Sequence, residues 1–360
     1  MLQPSPKYES QLPTAVEQKA LKLEHRYLRL RKNLFKALTA LTALSIPFAA
    51  YANDVRANQS IQAESVIDID IRGEALDPAN NDKAIVFLDG FRSMNGDTIA
   101  YFRGEGMQQV LDGQLWSVGY NDANLDPTVI GKRIIALAES TGVKTIYFYM
   151  ESAGGSIGSQ VQEYVAQNSN ITLSAQVYNS VPYGFKALRE PRQNDINTIE
   201  FLASIPGAKY SSLVTYLGEA ALGYTDTDRN KFAGPWLMFD QAMAIEDADI
   251  GERIANMGEL PSTTQKPVII YIGTTDGYDY MVNDDYSAEK FQKAAEGAGI
   301  KFVHLEVPGA VHSRPDIKPE NFNETLADAK DDILSAIATE EAIAEFNQRE
   351  KRMEEQSALK

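Results

Sequence analysis

The feature that most restricts the fold is an alternation of short apolar runs with helical patterns over residues 65–340. The runs are rich in β-branched and aromatic residues, which is typical of strands that a sheet buries on both faces. These runs are 84–88, 115–119, 144–150, 171–177, 267–272 and 301–307. Segments with helical periodicity lie between them, for example 127–141 and 153–167. The pattern predicts an α/β fold with a mostly parallel central sheet flanked by helices.

One run differs from the others in its hydrophobic pattern. Residues 66–72 alternate, with Ile67, Ile69 and Ile71 on one face and polar residues on the other. Alternation of this kind indicates a strand with one solvated face, as antiparallel edge strands have. We therefore expect the sheet to begin with an antiparallel edge strand.

A serine stands where the strand 144–150 meets the helix 153–167. The segment reads Glu151-Ser-Ala-Gly-Gly155, so small residues follow the serine directly. A strand-to-helix turn of this composition can lift a hydroxyl nucleophile above a sheet. A serine that precedes a helix is more often its N-cap, and it is the chain order of Ser152 with Asp276 and His312 that favours a nucleophile.

Three further segments with reactive groups follow other predicted strands. They are Asp89-Gly-Phe91, Gly273-Thr-Thr-Asp276 and Pro308-Gly-Ala-Val-His312. Because the carboxyl ends of parallel strands meet at one edge of a sheet, we expect these groups to lie near Ser152. Of the three histidines, only His312 sits in a glycine-containing loop after a late strand.

These segments resemble the motifs of the α/β-hydrolase superfamily. Met150-Glu-Ser-Ala-Gly154 is similar to its nucleophile elbow, and residues 273–276 and 307–312 are similar to its acid turn and histidine loop. The resemblance spans about residues 65–340. It implies a fold of that family and a site at the carboxyl edge of the sheet.

The resemblance also implies a role for each site residue. Ser152 would be the nucleophile, His312 the base and Asp276 the acid that orients it. The backbone N–H groups of Phe91 and Ala153 would form the oxyanion hole. The acid has rivals within ten residues, and these are Asp279, Asp284 and Asp285.

Two residues depart from the family pattern. Met150 stands where the elbow has glycine, and Asp89 stands where the oxyanion loop often begins with histidine. Both favour an alternative in which the protein keeps the fold as a catalytically silent binding protein of the cell envelope. A second, local resemblance is that of residues 152–157 to a glycine-rich segment of Clp and signal-peptide-peptidase-type proteases, and it does not account for residues 267–312.

The strand pattern lapses between residues 183 and 264, where the sequence is helical in character. An insertion of this length between two strands predicts a helical lid over the active edge of the sheet. The α/β-hydrolase core would then consist of 65–182 and 265–340, followed by a charged helix or tail at 341–360. An apolar lid favours a hydrophobic, acyl or lipid-like ester substrate.

Composition limits the partners. The chain has no cysteine, which excludes disulfides, thiol nucleophiles and zinc–thiolate sites. The first 52 residues hold eight Lys and Arg against three Asp and Glu, which leaves 26 basic and 47 acidic residues, a net charge of −21, in the remainder. A body of this charge repels nucleic acid. We expect no nucleic-acid partner and no cofactor.

The first 52 residues have the pattern of an export signal. A basic run precedes the apolar stretch 34–52, which ends in Ala50-Tyr51-Ala52, an A-x-A cleavage pattern. We predict a secretory signal cleaved before Asn53, followed by a polar linker at 53–64. The basic leader is longer than usual, so membrane anchoring through 34–52 remains the alternative.

Together these features predict an exported serine hydrolase that cleaves an ester by an acyl-enzyme mechanism. The alternatives are a peptidase or amidase of the same fold and the silent binding protein.

Overall fold

The computed structural model describes most of the chain after residue 66. The described residues are 67–90, 106–120, 125–211, 234–261, 264–274, 279–310, 312 and 319–358, with 32, 33, 36, 51–57, 59, 104 and 214. Of the predicted site residues, Ser152, Ala153 and His312 are among them, whereas Phe91 and Asp276 lie outside.

The described residues form one seven-stranded sheet. Its strands are β1 (Asp68–Gly73), β2 (Lys83–Leu88), β3 (Gln114–Gly119), β4 (Thr145–Glu151), β5 (Thr172–Asn179), β6 (Val268–Thr274) and β7 (Phe302–Val307). The order across the sheet is β1-β3-β2-β4-β5-β6-β7. β1 pairs antiparallel with β3, and all other neighbours are parallel. The predicted strand runs and the antiparallel edge strand are confirmed.

The structure describes the following helices, some of which begin at a capping side chain. They are α1 (Pro127–Thr141), α2 (Gly154–Asn168), α3 (Glu190–Ala203), α4 (Gly234–Glu246), α5 (Ile250–Gly258), α6 (Asp284–Ala298) and α7 (Pro319–Ala358). For α1, the Asp126 carboxylate accepts from the first-turn N–H groups, Pro127 occupies the first turn, and Gly142 ends the helix at φ 78°. Asn283 caps α6 in the same way by accepting from the Tyr286 N–H.

Helices cover the sheet on both faces. Apolar residues of α1, α2, α5 and α6 pack on one face in a single buried cluster with β-strand residues such as Val86, Phe148 and Ile269. On the other face, α7 and the segment around Met107 pack against a second set that includes Tyr149 and Ile270. Because parallel strands are buried on both faces, their near-continuous apolar character follows from this layering.

A third buried cluster lies outside these two layers. It joins α3 and α4 to Ala153, directly after Ser152, and to Val282, near the start of α6. The helices α3 and α4 therefore lie near the edge of the sheet where Ser152 stands. Whether they act as a lid stays a prediction.

Three boundaries differ from the sequence prediction. Helix α5 falls within the predicted lid range 183–264, but its buried face packs in the same cluster as the sheet. Residues 319–358 form one helix rather than two stretches divided near 340. Residues 53–57, expected to belong to a linker, are helical. No described helix is long and apolar enough to cross a membrane.

The helical residues 51–57 contact the body of the protein. The Tyr51 hydroxyl donates to the Pro206 carbonyl at 2.6 Å. The Ser211 hydroxyl donates to the Asp54 carboxylate at 3.0 Å. These two contacts fix residues on both sides of the predicted cleavage point against the segment that follows α3.

Candidate active site

Ser152 occupies a strained turn between β4 and α2. Its φ is 50°, in the left-handed region that non-glycine residues seldom adopt. The turn is held by backbone hydrogen bonds, from Ser152 N–H to the Asn179 carbonyl at 3.0 Å and from Gly155 N–H to the Ser152 carbonyl at 3.0 Å. Strain of this kind persists only where the surroundings over-determine it, and it concentrates at functional sites.

Two glycines let α2 begin close to the sheet. A Cβ on Gly154 would lie 2.5 Å from the backbone carbonyl oxygens of Leu88 and Asp89, so only glycine fits there. A Cβ on Gly158 would lie 2.5 Å from the Met150 sulfur. Gly158 thus makes room for the bulky Met150, the residue by which this elbow departs from the family pattern. Met150 also accepts a hydrogen bond from the buried Gln162 amide at 2.9 Å.

His312 lies beside Ser152 although the two are 160 residues apart in the chain. The His312 Nε2 atom is 2.8 Å from Ser152 Oγ. Both side chains are buried, His312 with 5% and Ser152 with 8% of its surface exposed. The spatial prediction for this pair is met by the geometry.

The carboxylate on the other side of the imidazole belongs to Asp279. Its Oδ2 is 2.7 Å from His312 Nδ1, and the side chain is buried. An ionised carboxylate only accepts, so Nδ1 carries the proton and Nε2 is left to accept from the Ser152 hydroxyl. The structure thus brings Asp279, one of the rivals for the acid, against His312, whereas Asp276 lies outside the described residues.

Local hydrogen bonds explain why Asp279 is suited to this position. Its Oδ1 accepts from the N–H groups of Met281 and Val282, at 2.7 and 2.8 Å, which aims Oδ2 away from its own turn. Burial acts to raise the pKa of Asp279, but the hydrogen bond and charge of His312 and these two N–H groups outweigh it. The net result is a lowered pKa, so the carboxylate stays ionised.

The sequence carries a signal for Asp279. Aspartate side chains often accept from backbone N–H groups two and three residues later, forming an Asx turn. In Asp279-Tyr-Met-Val282, the later two residues are apolar and anchor the turn in the α3–α4 cluster. Asp276 precedes no such anchor, since Gly277 and Tyr278 follow it before Asp279 itself.

The segment that leads into α3 is hydrogen-bonded to the loop between β6 and α6, which we call the acid loop. Leu188 and Val282 form an antiparallel bridge, flanked by hydrogen bonds from Arg189 N–H to Met281 O and from Asn283 N–H to Ala187 O. The Arg189 Nε–H also donates to the Asp279 carbonyl at 2.5 Å. The position of Asp279 therefore depends on contacts from outside its own loop.

Of the two residues predicted to form the oxyanion hole, the structure describes Ala153. Ala153 is buried beside Ser152 and precedes the first turn of α2, where backbone N–H groups lack intrahelical acceptors. Phe91 lies outside the described residues. The Asp89 carboxylate, whose charge could oppose an oxyanion, accepts from its neighbour Gly90 N–H at 2.7 Å. The buried Gln241 of α4 donates to the Gly90 carbonyl at 3.0 Å.

The sheet, its covering helices and the order of the site residues identify the fold. The parallel sheet is covered on both faces, a serine stands at a strained strand-to-helix turn, and the acid and histidine follow β6 and β7 in that order. The chain has the α/β-hydrolase fold. The first strand that the structure describes is the antiparallel edge strand β1.

No protein-family model matches the chain, and no curated protein matches its sequence. Solved structures of similar architecture were found. An esterase from Exiguobacterium antarcticum is 13% identical over 74% of this chain and 95% of its own, with a TM-score of 0.46. A bromoperoxidase from Bacillus anthracis is 14% identical over 74% and 96%, with a TM-score of 0.45. A putative aryl esterase from Burkholderia cenocepacia is 15% identical over 76% and 95%, with a TM-score of 0.44.

Proposed function

We propose that this α/β-hydrolase-fold protein is a serine hydrolase that cleaves esters through an acyl-enzyme intermediate. The observation that carries the proposal is the continuous hydrogen-bond chain from Ser152 Oγ through His312 to Asp279, with contacts of 2.8 and 2.7 Å. All three side chains are buried, so the chain of contacts is shielded from competing water.

Each residue has a definite part in the reaction. His312 Nε2 takes the hydroxyl proton as Ser152 Oγ attacks the ester carbonyl, and Asp279 stabilises the imidazolium that forms. The carbonyl oxygen gains the negative charge and is held by backbone N–H groups, including that of Ala153. Collapse expels the alcohol, which takes the proton from His312. Water, activated by His312 in the same way, then releases the carboxylic acid and regenerates Ser152.

The surroundings of Ser152 favour a hydrophobic acyl group. Ala153 belongs to the apolar cluster of α3 and α4, which includes Leu188, Ile199 and Ile245. The exposed ring of Tyr280 stands edge-on to His312, with ring centres 6.4 Å apart. An apolar acyl chain placed against the Tyr280 ring would bury surface that water otherwise covers.

Covalent labelling with a fluorophosphonate tests the proposal without knowledge of the substrate. The wild-type protein should be labelled and Ser152→Ala should not. Ser156→Ala is the matched control, because Ser156 is buried one helical turn away and its hydroxyl has no hydrogen-bond partner among the described residues. Ser156→Ala should be labelled like the wild type.

Other results would change the assignment. A folded wild-type protein that takes no label would contradict the hydrolase and favour a silent binding protein. Labelling that survives in Ser152→Ala would place the nucleophile elsewhere. If the label appears, turnover of paired p-nitrophenyl esters and p-nitroanilides separates an esterase from an amidase.

We also propose that the protein acts outside the cytoplasmic membrane. The support is the basic run, the apolar stretch 34–52 and the Ala50-Tyr51-Ala52 pattern. Cleavage before Asn53 would remove the Tyr51 contact with Pro206 and keep that of Asp54 with Ser211. N-terminal sequencing of protein from medium, envelope and cytosol tests this. Full-length protein found only in cytosol would contradict both the cleaved and the anchored form.

A further inference from the structure

A second buried carboxylate, that of Asp284, lies close to the acid loop. Only 6% of its surface is exposed. Its Oδ1 accepts from the Tyr271 hydroxyl at 2.7 Å. Its Oδ2 accepts from the backbone N–H and the hydroxyl of Thr274, both at 2.9 Å. Three hydrogen bonds, all donated by groups of β6, thus hold the carboxylate.

Asp284 is held without a cation. In the part of the chain that the structure describes, no lysine or arginine forms an ion pair with it. The ionisable groups that face it are Asp279 on the loop and Tyr271 on β6, and the Tyr271 ring in turn contacts His304 of β7 at 5.8 Å between ring centres. Burial first, and then the charge of Asp279, raise the pKa of Asp284 to about 6.

The contacts of Asp284 join the two ends of the acid loop. Thr274 is the last residue of β6 and Asp284 is the first of α6, so their hydrogen bonds close the loop at its base. Asp279 lies between them in the chain. A loop whose ends are joined has fewer conformations, and the angle at which Asp279 meets His312 is restricted with it.

We propose that Asp284 is a positioning residue that closes the base of the acid loop and so holds Asp279 against His312. The proposal rests on the proposed hydrolase function, because it concerns the same Ser152–His312–Asp279 site. Asp284 does not contact the reacting atoms. It acts through Asp279, by fixing the loop.

Three substitutions separate the hydrogen bonds that close the base of the acid loop, called the clamp from here on, from the negative charge of Asp284. Asp284→Ala removes both. Asp284→Asn removes the charge and can keep the clamp, because its oxygen can accept from Thr274 and its amide can donate to the Tyr271 hydroxyl. Asp285→Asn is the matched control, since it removes a charge from the next residue of the same helical turn, which is exposed.

The kinetic expectations follow from these differences. Asp284→Ala should lower kcat for an ester by about 10- to 100-fold, the range for misplaced catalytic groups, with KM nearly unchanged. Asp284→Asn should recover most of this loss. Asp285→Asn should keep wild-type activity.

A second readout does not depend on turnover. The proton shared by His312 Nδ1 and Asp279 should give a low-field NMR signal, and with three histidines in the chain its assignment through His312→Gln is direct. The signal should be lost or displaced in Asp284→Ala and retained in Asp285→Asn.

The outcomes distinguish the two proposals. A wild-type protein with neither label nor ester turnover contradicts the hydrolase. An active wild type, with Asp284→Ala folded and equal to Asp285→Asn in kcat and NMR signal, overturns the positioning role. If Asp284→Ala does not fold, Thr274→Val decides, because it removes the Thr274 hydroxyl that donates to Asp284: a kcat and NMR signal equal to those of Asp285→Asn also overturn the positioning role.

Discussion

The strained backbone at Ser152 predicts an unusual order of stability among substitutions. Ser152 has a φ of 50°, a conformation that costs an L-residue roughly 1–2 kcal/mol and costs glycine almost nothing. Ser152→Ala and Ser152→Gly both lose the hydrogen bond to His312. They differ in this backbone strain, in the flexibility of the unfolded chain and in the burial of one methyl group.

Ser159 is the reference position. A change between alanine and glycine there also alters the flexibility of the unfolded chain and the burial of one methyl group, but it involves no backbone strain. It is fully buried and lies in the second turn of α2, with helical backbone. There glycine should be less stable than alanine by about 1 kcal/mol or more. The glycine–alanine difference at position 152 should be more favourable to glycine by about 1–2 kcal/mol than the same difference at position 159.

Chemical denaturation of the four variants at one pH measures both differences. A protein of this size shifts its Tm by only about 2 °C per kcal/mol, so unfolding free energies from urea titrations resolve the effect better than melting curves. Equal glycine–alanine differences at the two positions would refute the argument that the elbow is strained. If the elbow of Ser152→Gly adopts a different structure that exposes other surface, the slope of unfolding free energy against urea concentration should change.

Three other results are expected. Asp279→Asn should lower kcat/KM by about 10⁴-fold because the imidazole loses its correct tautomer, whereas Asp276→Asn should stay near wild type in the same ester assay. Gly158→Ala should cost about 1–3 kcal/mol of unfolding free energy by its clash with the Met150 sulfur, and less in a Met150→Ala background, as a double-mutant cycle would show. The pKa of Asp284 is about 6 in the folded protein and about 3.9 in the unfolded chain. Between these pH values the folded protein binds more protons than the unfolded chain, so its stability falls as the pH rises, and above pH 6 the ionised Asp284 carries the full cost. Asp284→Asn should therefore be more stable than wild type by about 1–3 kcal/mol at pH 8, and urea titrations at lower pH should show the gain vanish by about pH 4; a gain that persists there would contradict the assigned pKa.

Much of the fold was readable from local sequence. The strand runs were visible because parallel strands buried on both faces must be apolar along their length. The edge strand β1 was visible because one solvated face imposes alternation. The turn at Ser152 could be located because small residues are required where a helix starts against a neighbouring strand, as Gly154 does against Leu88.

Other features depended on contacts between distant segments. Local polarity did not predict that α7 is continuous or that α5 packs on the sheet. Any helix that covers a core has one charged and one apolar face, so polarity does not show which helix it is or where it packs. The accommodation of Met150 depends on a glycine eight residues away, on a different element.

Sequence alone determined which residue types would meet at the carboxyl edge of the sheet: a serine, an aspartate and a histidine, in that order along the chain. The apolar residues that follow Asp279 are a local signal for it, but the contact of its carboxylate with His312 is decided by the tertiary structure. Asp276, Asp279 and Asp284 are chemically identical and lie within nine residues, so no property of the side chain separates them. The choice arises because the 187–189 segment and the Asp284–Thr274 contacts set the path of the loop, and that path brings Asp279 to within 2.7 Å of His312 Nδ1.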